Sequence, residues 1–293
     1  MRIMGILNLT PDSFSDGGAY PHAAAAIAAA HQMAADGAAI IDIGAESTRP
    51  GATPVSPAIE QARLLPIVRA LAAAGLTLSI DTRNAATMAA CLDAGAAIIN
   101  DVSALRWDPA AAPLLAARDC PVILMHMRGT PQTMQSLASY TDVLAEVAAE
   151  LAQARAAAEA AGIARSRILL DPGLGFAKTA AHSLQLLARL NELTGLGAPL
   201  VVGASRKRFI GDLTGIPNPA DRLAGSLAAA LHAAANGAAI LRVHDVAPTV
   251  QALRVQEAIE GVRGAKPLTS PPSGHTPPRG LQHPRPTTGV GHE

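Results

Sequence analysis

The sequence predicts an α/β protein built as a single (β/α)8 barrel, and three observations carry that expectation. Eight short runs rich in Ile, Leu and Val recur along the 293 residues, Ala-rich helical stretches separate them, and nearly every run ends in a polar residue. A short, nearly continuous apolar run suits a parallel strand covered on both faces. Eight such strands, each followed by a helix, fit one barrel of this length. An open doubly wound sheet is the rival. The polar run ends favour the barrel, in which side chains at the C-terminal ends of many strands converge on one mouth. Packing alone would have to bury many unrelated polar groups, each at a cost.

The runs are RIMGILN, ending at Asn8; AAIIDIG, around Asp42; LTLSID, ending at Asp81; and AAIIND, ending at Asn100 and Asp101. They continue with PVILMH, ending at His126; RILLD, ending at Asp171; PLVVGAS, ending at Ser205; and AAILRVH, ending at Arg242 and His244. Helices are expected over 22–36, 57–74, 85–94, 141–161, 181–193, 219–236 and 247–261. Gly37, Gly75, Gly95, Gly162 and Gly237 follow five of them, where a left-handed residue ends a helix cheaply. The barrel is expected over 1–263. Residues 264–293 are dense in Pro, Gly, Ser and Thr and read as a disordered tail, its three histidines solvated.

Lys plus Arg and Asp plus Glu both number 23, which argues against a basic nucleic-acid surface or a binder of anionic membranes. Cys91 and Cys120 lie outside any metal-ligand spacing and read as reduced thiols. The N-terminal apolar run is too short for a signal core or a membrane span, so a cytoplasmic protein is expected.

Several segments carry chemistry. The loop after strand 1, NLTPDSFSDGG, holds paired glycines and reads as a mobile flap; its Phe14 stands out among aromatics that make up 2% of the chain. After strand 2, ESTRPGA places Arg49 on a loop stiffened by Pro50, a cation suited to phosphate or carboxylate. Asp81, Asn100 and Asp171 end strands 3, 4 and 6. A carboxylate there suits the paired N–H donors of an amidine-like ring edge, and Mg²⁺ is the other use of the same residues; spacing does not decide between them. SRKRFIG follows strand 7 with three cations, Arg206, Lys207 and Arg208, where barrels often build a phosphate site; Arg242 and His244 would add to it. The sequence holds no dinucleotide fingerprint opening a helix, no Walker A and no H-E-x-x-H; zinc on His126 and His244 is not expected.

Together the segments MGILNLTPDSFSDGG, DIGAESTRPGA, SIDT, IINDVSA, LMHMRGTPQTMQ, ILLDPGLGFAKT, VVGASRKRFIGDLTG, RLAGSLAAAL and LRVHDV resemble the dihydropteroate synthases over residues 3–255. The first two and the Ser-Arg-Lys segment are highly specific as a set. The resemblance implies a transferase of folate synthesis that condenses 6-hydroxymethyl-dihydropterin pyrophosphate with p-aminobenzoate, releases pyrophosphate and is inhibited by sulfonamides. It implies a pterin pocket of Asp81, Asn100, Asp171 and Lys207, with Arg242 against the ring. Asp171 would take the pterin 2-amino and N3–H pair and Lys207 would donate to the carbonyl side. Arg49, Arg242 and His244 would meet the pyrophosphate, with Mg²⁺ near Asn8. Phe14, Thr48, Pro50 and Ser205 would surround p-aminobenzoate, and Asp16 would lie near the reacting methylene. A homodimer is implied as well.

The chemistry fits these charges. An arylamine is a weak nucleophile, so stabilising the leaving pyrophosphate gains more than a base does. A dissociative substitution through a ring-delocalised pterin-methyl cation follows, with loop closure excluding water. Some residues depart from the family pattern: Gly44-Ala45 where paired glycines are usual, Ala204 where Thr is commoner, GFAKT for GFGKT, and Arg83 in SIDTRN. The chain also starts almost at its first strand, where relatives usually carry a segment that closes the barrel floor. Two other readings stand beside this one. A pterin-dependent methyltransferase would share the Asp and Asn readers but has no use for the anion-binding elements, and a pterin-binding paralogue without turnover would have lost some of them.

Overall fold

The computed structural model describes residues 1–9, 19–47 and 51–264. The strands are β1 (Arg2–Asn8), β2 (Ile40–Gly44), β3 (Leu78–Asp81), β4 (Ile98–Asp101), β5 (Val122–Met125), β6 (Ile168–Asp171), β7 (Leu200–Val202) and β8 (Ala238–Val243). All pair in parallel and in chain order, and β8 closes on β1. This is the (β/α)8 barrel the sequence predicts.

The helices are α1 (Ala19–Ala35), α2 (Pro57–Ala73), α3 (Ala85–Asp93), α4 (Ala111–Ala116), α5 (Val143–Ala160), α6 (Ala180–Ala188), α7 (Leu190–Leu193), α8 (Arg208–Thr214), α9 (Leu223–Ala235) and α10 (Val246–Gly264). Caps set several starts: Asp142 accepts from the amides of Leu144 and Ala145, and Thr179 forms a capping box with His182. The five glycines expected to end helices all have positive φ, from +79° to +107°. The short α4 and α8 carry no sustained period and escape sequence reading. Among the described residues no helix is long and apolar enough to cross a membrane. By its internal contacts the chain divides into Met1–Gln256 and Glu257–Glu293. α10 runs to Gly264, and the rest of the predicted tail lies outside the described residues.

Strand alternation sorts the core. Ile41, Ile43, Leu78, Ile80, Leu124, Ile168, Leu170 and Val202 pack in one cluster with helix residues. Met4, Ile40, Ile98, Ile123, Leu169, Val201 and Ile240 form a separate cluster, the apolar layer inside the barrel. Two residues further along four of these strands come Asp42, Asn100, Asp171 and Arg242. Asp81 lies in register with Asn100. The polar layer therefore sits directly above the apolar one, at the C-terminal mouth.

Candidate active site

Arg242 organises one half of the mouth. From β8 its Nε donates to Asp42 Oδ2 at 2.6 Å, and its Nη2 donates to Asp81 Oδ2 at 2.8 Å. Asn100 Nδ2 donates to the same Asp42 oxygen at 3.1 Å. Asp42 is fully buried, and its Oδ1 has no hydrogen-bond partner among the described residues. Burial pushes the Asp81 carboxyl up to about 7, against the pull of Arg242, and Asp42 adds to the rise. Burial also works against the charge of Arg242, but Asp42 and Asp81 outweigh it and hold the guanidinium firmly ionised. Its cation is thus fixed across the barrel interior.

The other half is built by β6 and the turn after it. Asp171 Oδ1 accepts from the Gly173 amide at 2.7 Å. Gly173 has φ +64°, and a Cβ there would lie 2.0 Å from the His126 carbonyl oxygen, so no side chain fits. Lys207 Nζ donates to the Leu174 carbonyl and stands 4.6 Å from the centre of the Phe176 ring. Burial lowers the Lys207 pKa to about 8, with Asp171 opposing. Burial raises Asp171, with Lys207 the foremost opposing charge. Each charge thus partly offsets the burial that works against the other.

Two expectations need correction. The three cations after β7 do not act as one patch. Arg206, in the left-handed region at φ +58°, turns to Asp245 with Nε 3.0 Å from Oδ2, while Arg208 is exposed and lies 3.6 Å from Asp212. Lys207 alone of the three faces Asp171, because consecutive residues at a turn leave in different directions. Asp101, read with Asn100 as a strand-end polar residue, accepts instead from Ser103 N and Oγ, both at 2.7 Å, and from Leu105 N at 3.0 Å. It shapes the turn after β4, as its opposite place in the strand alternation requires.

Ser205 Oγ accepts from the His244 amide at 3.2 Å and lies 3.1 Å from His244 Nδ1, joining the ends of β7 and β8. Asn8 ends β1, half-buried and in register with Gly44. His126 is committed elsewhere: Nε2 meets Glu150 at 2.9 Å and Nδ1 meets Lys178 Nζ at 2.8 Å. Among the described residues no three His, Cys, Asp or Glu side chains cluster as a metal site.

A model of the pterin binding enzyme family matches residues 4–244, nearly the whole barrel. A dihydropteroate synthase of Neisseria meningitidis serogroup B is 51% identical over 263 residues, covering 88% of this chain and 92% of that protein. The chain belongs to the dihydropteroate synthase family. The Xanthomonas albilineans dihydropteroate synthase solved with 4-aminobenzoic acid superposes with a TM-score of 0.84 at 50% identity, over 88% of this chain and 93% of that one. The structure of the same organism's enzyme with 7,8-dihydropteroate gives 0.81 at 47% identity, with the same coverage.

Against this family frame, the structure brings Asp81, Asn100, Asp171, Lys207 and Arg242 to one mouth, with Ser205 and His244 joined beside it. Phe14, Asp16, Thr48, Arg49 and Pro50 lie outside the described residues. The near side of the second loop is well anchored. Arg83 and Glu46 form a buried bidentate pair with both contacts at 3.0 Å, Glu46 Oε1 also accepts from Val55 N at 2.9 Å, and the guanidinium stacks 3.8 Å from the Trp107 ring centre. Arg83 thus holds Glu46 in place just after β2. Sequence reading missed Asp42 and Lys178. An ionisable residue inside an apolar strand was the available signal for Asp42. Lys178 carries no local signal inside GFAKT; Ala177 before it takes φ +49°, a region that residues with a side chain seldom enter.

Proposed function

We propose that this chain, a dihydropteroate synthase by family, holds its pterin between Asp171 and Lys207 beneath Arg242. The observation that carries the reading is the buried Asp171 and the half-buried Lys207, an acceptor and a donor that interact across the mouth, with Arg242 locked beside them by two carboxylates. Asp171 accepts the 2-amino and N3–H pair, Lys207 donates to the carbonyl side, and Asp81 and Asn100 take the remaining ring edge. Arg242, His244 and Arg49 face the pyrophosphate. Ser205, Phe14, Thr48 and Pro50 surround p-aminobenzoate, and Asp16 lies near the methylene.

The bond from the pterin methylene to the bridging oxygen breaks first, and its electron pair leaves on pyrophosphate. Cationic side chains stabilise that charge as it develops. The arylamine lone pair then forms the new C–N bond, and the proton it releases passes to the departing pyrophosphate. Asn8 ends β1 at the C-terminal mouth with a hard amide oxygen, the donor type Mg²⁺ takes, so this residue would suit the ion. When bound there, Mg²⁺ would supply Lewis-acid stabilisation of the leaving group. The reading extends to a cytoplasmic homodimer, in keeping with two free, buried thiols.

The test is to incubate the protein with 6-hydroxymethyl-dihydropterin pyrophosphate, p-aminobenzoate and Mg²⁺ and to weigh the products. Dihydropteroate that requires all three components supports the reading. Tight pterin binding without product would mark a paralogue that does not turn over, and methyl transfer from methyltetrahydrofolate would mark the other enzyme class.

A further inference from the structure

Lys178 is buried behind the pterin half of the mouth and touches nothing in the proposed reaction. Its Nζ lies 3.0 Å from the Gly173 carbonyl oxygen, 2.9 Å from the Phe176 carbonyl oxygen and 2.8 Å from His126 Nδ1. The tautomer of His126 follows from its other side. Burial works against the Glu150 carboxylate, but the hydrogen bonds it accepts from Arg128 and from the His126 ring, with the Arg128 charge, lower its pKa and keep it ionised. A carboxylate only accepts, so His126 Nε2 carries the proton and Nδ1 is an acceptor. Burial, with Lys178 next, depresses the His126 pKa to about 3, in accord with a neutral ring.

Lys178 therefore faces three acceptors and no donor. An ammonium has three N–H bonds and satisfies all of them; a neutral amine has two and leaves one buried acceptor bare. Burial and Lys207 draw the Lys178 pKa down to about 7, while Asp171 and Glu150 raise it and Arg128 lowers it. The hydrogen-bond inventory decides for the charged form in the folded protein. The backbone it ties is under constraint, with φ +64° at Gly173, +79° at Gly175 and +49° at Ala177. The same turn presents the Gly173 amide to Asp171 and the Leu174 carbonyl to Lys207.

We propose that Lys178 is a positioning residue of the pterin subsite, an ammonium that pins residues 173–176 so that Asp171 and Lys207 meet the ring at the right spacing. The inference rests on the pterin reading of the preceding section. It assigns Lys178 no contact with either substrate. Loss of its charge loosens the turn and falls on pterin binding, not on the arylamine.

The test is two-substrate steady-state kinetics on the full chain with Lys178→Met, an uncharged side chain of similar length, beside Asp171→Asn. KM for the pterin pyrophosphate should rise about tenfold or more in Lys178→Met while KM for p-aminobenzoate stays within about twofold. An unchanged pterin KM in Lys178→Met, with a raised one in Asp171→Asn, overturns the inference and leaves the pocket standing. An unchanged value in both overturns the two together. Should Lys178→Met not fold, Glu150→Gln decides, since it lies on the outer helix α5 and removes a charge that supports the ammonium. The alkaline rise of the pterin KM should then move to lower pH by roughly half a unit. Lys207 also titrates in this range, but Glu150 is not among the charges that set it. An unmoved alkaline limb in Glu150→Gln overturns the inference.

Discussion

Arg242 on β8 reaches over β1 to Asp42 on β2, closing a 2.6 Å charge-assisted hydrogen bond across 200 residues of sequence. The bond fixes a guanidinium that would otherwise swing in an open mouth. Asp42→Asn keeps the shape but puts an amide donor or an uncharged oxygen where Arg242 and Asn100 both need a carboxylate. Removing one partner of a buried pair is costly. Chemical unfolding should show a loss of about 2–4 kcal/mol, and kcat/KM should fall by about tenfold or more. Wild-type values for both would show that Asp42 does not hold Arg242.

Lys207→Ala removes the donor opposite Asp171. Turnover should fall about a hundredfold or more, a loss of the size seen when a single preorganised donor is removed. The circular dichroism spectrum should stay that of the wild type, since the fold places no strand or helix on this side chain. Near wild-type turnover would take Lys207 out of the mechanism.

His126 gives the fold an acid dependence. Its folded pKa of about 3 lies below the ordinary value of 6.5, so between these the unfolded chain binds a proton that the folded chain does not. The contribution is complete above about 6.5 and is lost as pH falls toward 3, at about 1.4 kcal/mol per pH unit. Asp81, raised to about 7, works in the opposite direction between its ordinary value and 7. The readout is therefore a difference. In urea unfolding from pH 6.5 to 4, His126→Gln should lose stability more slowly on acidification than the wild type. Parallel slopes would contradict a buried neutral His126.

Glu46 and Arg83 are almost wholly buried, with side chains 5% and 4% exposed. Arg83→Met leaves the Glu46 carboxylate with the Val55 amide but no counter-charge and should cost about 3–5 kcal/mol in unfolding experiments. Trp107 is the only tryptophan, so its emission should change when the guanidinium leaves its face. The double variant Glu46→Gln, Arg83→Met should recover part of the loss. No recovery would mean that the two side chains act separately.

The barrel was legible because its signal is repeated. Eight apolar runs, nearly all ended by a polar residue, leave little freedom once β/α alternation is seen, and Gly37, Gly75, Gly95, Gly162 and Gly237 punctuate it. Asp81, Asn100, Asp171 and Arg242 were legible because strand ends in a barrel point to one mouth. Direction at turns was not legible, so Arg206, Lys207 and Arg208 read alike although one turns to Asp245 and another to solvent. Asp42 and Lys178 were hidden for a related reason: their partners, Arg242 and His126, are distant in the chain, and nothing local marks which buried charge meets which.

A crystal structure of the protein with 6-hydroxymethyl-dihydropterin pyrophosphate tests the account most directly. It predicts the ring between Asp171 and Lys207, its 2-amino and N3–H groups on the Asp171 carboxylate, and Arg242 still bound to Asp42. A pterin seated elsewhere, with Asp171 and Lys207 untouched, would contradict it.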